Sequence, residues 1–429
     1  MVLHWWVSGL IFVFTFALIF SEKVHRTVAA LLGAVLMVLA GKFFSFYSEE
    51  KAFQAIDLPT LALLLAMMIM VALLRHTGFF QYLAIITAQK SRGKPWVLLV
   101  FLGLLSAFVS MFLDNVTTII LIAPLTIFIA DMIGLSPVPF LMAEVLLSNI
   151  GGTATLVGDP PNILIASAAH FSFNDFLMHT APIVLLVMAA TVPLLLWIYR
   201  REMKTRPQNL KALLKMKPGD AISDGAALKK TLIVLAVVIL FFFIHHLLHF
   251  KPSFVALLGA VAALLWVKPD LNEILREIEW AVLLFFAALF VAVGGLEASG
   301  LLTAFSEKVA SLAASNLLLA SIILLWAAAF LSAIVDNIPF AMAMIPILHQ
   351  LESQGIPASP LWWALALGVG FGGNGSPIGS TANVIVLELS EKTREPLTLK
   401  TWLRTGTIIT VTTCALASLY LIIFFKFMQ

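Results

Sequence analysis

The sequence predicts an all-α polytopic membrane protein of two inverted five-helix repeats, each with a re-entrant hairpin and a broken helix, about ten transmembrane spans in all. Three observations predict it. The 429 residues are 61% hydrophobic and 11% charged, with a mean hydropathy of +1.03, far beyond the range of soluble domains. Residues 152–162 read GTATLVGDPPN and residues 373–383 read GNGSPIGSTAN, two copies of one Gly-, Thr/Ser- and Asn-rich pattern 221 positions apart. The basic residues, finally, crowd into alternate connections between apolar segments.

A lipid-facing helix cannot carry such polar runs, because glycine and proline break the backbone ladder and the freed groups need protein or water partners. Matched interruptions in two halves point to a binding site near the bilayer midplane of a transporter. The repeat extends further. AALLGAV at 29–35 recurs as VALLGAV at 255–261, TGFF at 77–80 as SGLL at 299–302, and FVSMFLDN at 108–115 as FLSAIVDN at 330–337, with offsets of 226, 222 and 222.

In the first half, apolar segments fall near 7–20, 27–41 and 58–74, some short for a span. An amphipathic stretch at 79–93 suits the interface. Residues 95–131 carry Asp114 and Asn115 at their centre, 138–170 are broken by the glycine-rich run, and 180–199 close the half. The second half repeats this order near 231–247, 254–267, 280–296, 299–314, 315–349, 360–388 and 402–425.

Reading 95–131 as a hairpin that returns to its starting side gives five crossings per half and inverts the halves. That plan puts 21 of the 26 Lys and Arg on one side, which the positive-inside rule makes cytoplasmic. Lys42, Lys51, Lys251, Lys308 and Lys426 fall on the other side, with both termini. The repeats span 1–199 and 231–429, joined by a basic linker at 200–230. No cleaved signal peptide is expected. The single cysteine, Cys414, offers neither a disulfide framework nor a thiolate metal cage. No cofactor or metal is expected, no nucleotide-binding or nucleophile motif supports an enzyme, and nothing points to nucleic acid.

A hairpin with a polar tip followed by a broken helix, repeated in inverted order, resembles the ion transporter superfamily. That group includes divalent anion/sodium symporters, arsenite permeases, one class of sodium/proton antiporters and the melanosomal P protein. The resemblance covers essentially the whole chain and is carried by FLDNVTT at 112–118, the run at 152–162, VDNIP at 335–339 and GGNGSPIGSTAN at 372–383. Within the group the chain looks most like a bacterial arsenite efflux permease of the inner membrane. The resemblance implies scaffold parts at 1–93 and 231–314, transport parts at 94–199 and 315–429, elevator-type motion and a homodimer. For the arsenite branch it also implies a cytoplasmic ATPase subunit.

Short polar runs between half-helices offer carbonyl oxygens and side-chain dipoles, and half-helix N-termini add partial positive charge. The expected substrate-binding residues are Asn115, Thr117, Gly152, Thr153, Thr155, Asn162, Asn337, Asn374, Ser376, Ser380, Thr381 and Asn383, with Asn115, Thr153, Asn162, Asn337, Asn374, Ser376 and Asn383 lining one cavity. The bland alternative is that small residues merely permit close helix packing. Asp114 and Asp336 hold matched positions at the hairpin tips, and Asp159 stands where the second copy has Ser380. These three are the expected coupling-ion residues. A carboxyl inside a membrane costs on the order of 3 kcal/mol and marks function by default; capping the following helix is the competing role. Glu144 is the preferred auxiliary proton carrier over Glu297 and Glu388. His245, His246 and His249 read as a wetted outer helix end, and Arg75 with His76 as an inner, snorkelling one.

Two carboxylates beside a small pocket repel a dianion, and no Arg or Lys is evident in the site. Both points count against sodium-coupled anion symport of the dicarboxylate type. Two readings stay open. One is proton-coupled antiport exporting arsenite or antimonite, bound through hydroxyl hydrogen bonds for want of thiolates, and it is preferred. The other is sodium/proton exchange at Asp114 and Asp336. The partners expected are thus a small inorganic solute, a coupling proton or sodium, and the lipid bilayer.

Overall fold

The computed structural model describes residues 2–21, 23–334 and 336–428, without the side chains of 2, 20, 304, 305 and 307–309. Val335, the first residue of VDNIP, and the Lys308 side chain counted above lie outside the described residues. The described residues form helices and no strand. The first half comprises α1 (Val2–Ser21), α2 (Arg26–Phe43), α3 (Glu49–Gln54), α4 (Leu58–His76), α5 (Phe79–Lys90), α6 (Pro95–Ser110), α7 (Asn115–Met132), α8 (Val138–Gly152), α9 (Pro160–Ala169), α10 (Phe173–His179) and α11 (Ala181–Ile198). The linker holds α12 (Leu210–Lys215). The second half comprises α13 (Gly225–Ile244), α14 (Pro252–Val267), α15 (Leu271–Glu277), α16 (Trp280–Ala298), α17 (Leu301–Ser315), α18 (Leu317–Ile334), α19 (Asn337–Ser353), α20 (Ser359–Gly372), α21 (Thr381–Glu391), α22 (Leu399–Ile423) and α23 (Phe425–Met428).

Local chemistry explains many boundaries. Proline opens α6, α8, α9, α14 and α20, where its missing N–H costs nothing. Asp57, Asp224 and Thr398 cap α4, α13 and α22 with side-chain oxygens. Gly78 and Gly300 turn the chain from α4 into α5 and from α16 into α17 at φ values of 75° and 82°. Only glycine takes that left-handed conformation without strain, so the TGFF/SGLL match marks one repeated turn.

The repeat is visible in what packs on what. Helix α2 lies on α16 and α4 on α14; α7 lies on α21 and α19 on α9; α6 pairs with α8 as α18 pairs with α20. Each contact thus recurs with the halves exchanged, as a two-fold relation between repeats requires. Among the described residues, eight helices are long and apolar enough to cross a bilayer, and four shorter ones are apolar. Helices α7 and α18 belong to the eight but are hairpin arms. Thr155 Oγ1 donates to Met111 O in the first tip, and Ser376 Oγ to Ala333 O beside the second. Both tips therefore end at the depth of the helix breaks.

The connections sort onto two faces. On one, Gln89 donates to Leu213 O at 3.0 Å and Met216 O at 2.6 Å, Ser223 N to Thr77 O at 3.0 Å, and His76 meets Glu277 at 3.2 Å. On the other, Asn174 donates to Phe243 O at 2.8 Å and Ser359 to Met428 O at 2.7 Å. The segments 75–94 and 200–230 share a face, as the hairpin plan requires.

Candidate functional site

Both tips and both breaks meet in the interior. Asp114 occupies the N-cap of α7; its Oδ1 accepts from Thr117 N at 2.8 Å and its Oδ2 from Thr117 Oγ1 at 2.6 Å. The capping role foreseen for the tip acids is thus real for Asp114. It is not for Asp336, whose carboxylate makes no side-chain cap. Asp336 Oδ2 instead accepts from Arg26 Nη1 and Thr381 Oγ1, each at 3.3 Å, while Arg26 Nη1 also donates to Thr381 Oγ1 at 2.6 Å. Arg26 corrects the expectation of a site without a cation. At the first turn of α2, after a basic connection, it read as one more cytoplasmic charge.

Asp159 holds the N-cap position of α9 without capping it. It is buried, and Asn337 Nδ2 donates to its two oxygens at 3.4 and 3.2 Å. Asp336 and Asp114 both lie within its electrostatic reach. Three carboxylates thus gather here and Arg26 bonds one of them, Asp336; Asp336 and Arg26 keep 16% and 29% of their side chains exposed. On the same side Glu279, at the N-cap of α16, is pushed up to about 7 by burial and then by Asp114, against the pull of Arg26 and Arg75.

The neutral residues divide into two groups. Asn162 Nδ2 donates to Gly152 O at 3.1 Å and Thr155 O at 2.9 Å; Asn383 Nδ2 donates to Gly373 O at 2.7 Å and Ser376 O at 2.8 Å. Each clamps its own break by satisfying carbonyls that the interrupted ladder frees. Thr153 is spent on Asn149 O, and Thr155 and Ser376 on the tips. Thr153, Asn162, Ser376 and Asn383 thus act as braces, with these donors spent on backbone carbonyls. The second group is a buried amide network centred on Asn149, which sequence reading missed. Asn149 Oδ1 accepts from Asn115 at 3.0 Å and Ser380 at 3.3 Å, and its Nδ2 donates to Asn374 at 2.9 Å and Asn383 at 3.0 Å. Its one signal was a lone amide a single turn before Gly152 on a helix whose other copy has Gly370.

Around the carboxylates, Thr117 and Thr381 are partly exposed residues whose hydroxyls bond Asp114 and Asp336. A separate cavity of about 790 Å³ opens on the opposite face, between α9 and α19 and the ends of α4, α14 and α16. His245, His246, His249, Glu297 and Lys251 line it, and none of the three aspartates does. The histidines therefore edge a cleft, in keeping with a wetted helix end. No cluster of three or more His, Cys, Asp or Glu able to hold a metal occurs among the described residues.

Comparison with known proteins places this geometry. Residues 16–368 match the family described as citrate transporter, CitMHS. The chain is 41% identical over 417 residues to a 46 kDa membrane protein of Mycobacterium leprae, covering 96% of each. An uncharacterized transporter of Mycobacterium tuberculosis shows the same identity and coverage. The human P protein is 33% identical over 489 residues, which takes in 95% of this chain and 58% of that one. In fold the chain is similar to the YdaH transporter of Alcanivorax borkumensis, with a TM-score of 0.58 at 17% identity over 90% of this chain and 89% of that one. The chain belongs to the CitMHS family of the ion transporter superfamily and is a multi-pass membrane transporter.

Proposed function

We propose that this chain is a sodium/proton antiporter in which Asp114, Asp159 and Asp336 carry the cation. The observation that supports it is the gathering of Asp114, Asp159 and Asp336 where tips and breaks meet, with Arg26 bonded to Asp336 alone. Such a site favours a bare cation or a proton and opposes the trianion that the family's name describes. Arg26 holds Asp336 while the site is empty of sodium, and sodium competes with it for the carboxylate.

Export of arsenite or antimonite against protons is the second reading. It is favoured by the hydroxyls of Thr117 and Thr381 beside the acids, and weakened because the asparagines meant to cup a neutral triol are spent on backbone and on each other. Sodium-coupled anion symport stands third; Arg26 is its one attraction. Under all three, the transport parts at 94–199 and 315–429 slide against scaffold parts at 1–93 and 231–314. The setting is a bacterial inner membrane with periplasmic termini, in a homodimer. Under the arsenite reading a cytoplasmic ATPase subunit docks on the basic face.

Proteoliposomes enclosing a pH-reporting dye test this. Sodium added outside should drive proton movement at once, while arsenite or citrate alone should not. Proton movement evoked by arsenite without sodium would overturn the first reading in favour of the second, and by citrate in favour of the third.

A further inference from the structure

The two hairpin–helix seams have the same packing. Ala107 approaches Gly151 so closely that a Cβ there would overlap it, and Ala329 approaches Gly372 in the same way. Ser110 O sits against Gly158 as Ser332 O sits against Gly379. These pairs fix which positions correspond, at the offsets of 222 and 221 found in the sequence.

In the second half the seam is apolar. Ala328, Leu348, Leu365 and Val369 are buried there, and Ser332 Oγ donates to Val369 O at 3.0 Å. In the first half the corresponding positions hold Ser106, Thr126, Glu144 and Ser148, with Ser110 opposite Ser332. All five are buried. Glu144 Oε1 accepts from Thr126 Oγ1. Glu144 Oε2 and the hydroxyls of Ser106, Ser110 and Ser148 have no partner among the described residues. Glu144 and Ser148 are one turn apart on α8, Ser106 and Ser110 one turn apart on α6, and Ser110 lies four residues before Asp114.

The second half shows that this fold needs no polar group at four of the five positions, since Ala328, Leu348, Leu365 and Val369 fill them. Unpaired buried oxygens are costly, and four along one seam ask for a ligand that gives and takes several hydrogen bonds. Water does so, typically making two to four in buried polar sites. The elements packed on α8 bring no buried counter-charge. Helices α6, α11 and α20 carry no titratable group; Asp131 of α7, Glu388 and Glu391 of α21 and Lys400 and Arg404 of α22 are exposed; Cys414 and Tyr420 of α22 complete the set.

We propose that Glu144 is a proton-binding site distinct from the three aspartates, joined to the first hairpin tip by water held on Ser148, Ser106 and Ser110. The proton leaves Glu144 Oε2 for the water file and travels to Asp114, with no other bond made or broken. This holds whichever solute the transporter carries.

Infrared difference spectroscopy of the purified protein in bilayers, stepped through pH without added solute, tests it. A protonated-carboxyl band should appear in the native protein and be lost in Glu144→Gln and in Glu144→Leu, which copies the second half. Removing the three hydroxyls in Ser106→Ala/Ser110→Ala/Ser148→Ala should keep the band but slow its exchange with deuterium at least tenfold. A band unchanged in both Glu144 variants, or exchange unchanged in the triple variant, would overturn the proposal. So would failure of both Glu144 variants to fold, which would make the residue structural.

Discussion

In the first half Asn115 reaches across to Ser380 of the second, 3.4 Å away; in the second half Asn337 reaches back to Asp159 of the first at 3.2 Å. The two contacts join equivalent positions with the halves exchanged, yet one acceptor is a hydroxyl and the other a carboxylate. The same division recurs across the molecule. Asparagine clamps, left-handed glycines and close seams occur twice. Asp159, Glu144, Arg26 and Asn149 occur once, against Ser380, Leu365, Pro252 and Gly370. What is repeated builds and braces the fold and sets one acid at each tip, while Asp159, Glu144 and Arg26 add charge in one half only.

The largest effect expected breaks that comparison at its most symmetric point. Leucine at Gly151 or Gly372 collides with the backbone of Ala107 or Ala329, so each substitution should cost ~3 kcal/mol or more and remove monodisperse protein from detergent extracts. One variant surviving while the other fails would show that the seams are not equivalent. Next come the clamps. Asn162→Ala and Asn383→Ala each free two carbonyls, for ~1–3 kcal/mol of lost stability in thermal unfolding. Asn383→Ala should be the worse, because Asn383 also accepts from Asn149; the reverse order would remove the amide network from the stability account. Third, Asp159→Ser makes the first break resemble the second. It should fold normally and lose at least tenfold in sodium-driven proton flux, about 1.4 kcal/mol, whereas Ser380→Ala should keep most of it.

The repeat and its breaks were legible because glycine, proline and acid residues are conspicuous against apolar helix, and because the same violations occur twice. The tips at Asp114 and Asp336 were legible for the same reason. Arg26 was not, since a base at a helix end is what orientation in a membrane already requires. The spending of Asn162, Asn383, Thr155 and Ser376 on carbonyls was not legible either. A sequence shows that a break needs hydrogen-bond partners, but not which side chains turn inward to supply them.

The smallest effect sharpens the comparison at two equivalent helix starts outside the spans, one on the side of the aspartates and the other lining the cavity on the opposite face. Asp57 and Glu279 are equivalent N-cap positions of α4 and α16. Asp57 accepts from Thr60 N at 3.3 Å and Thr60 Oγ1 at 2.7 Å, whereas Glu279 makes no side-chain cap. Glu279 is raised from the ordinary 4.5 to about 7 by burial and by Asp114. An acid raised in the folded state holds its proton more tightly there than in the unfolded chain. The stability this confers is full below 4.5 and is lost as pH climbs toward 7. Glu279→Gln, which stays neutral, should therefore match the native protein in acid and exceed it above neutrality. The gain should be below about 1 kcal/mol once solvent screening of a partly exposed group is counted. Thermal unfolding of both proteins across that window checks the sign. A variant less stable than the native protein above neutrality would mean that the Glu279 charge is held by Arg26 and Arg75 more strongly than Asp114 opposes it.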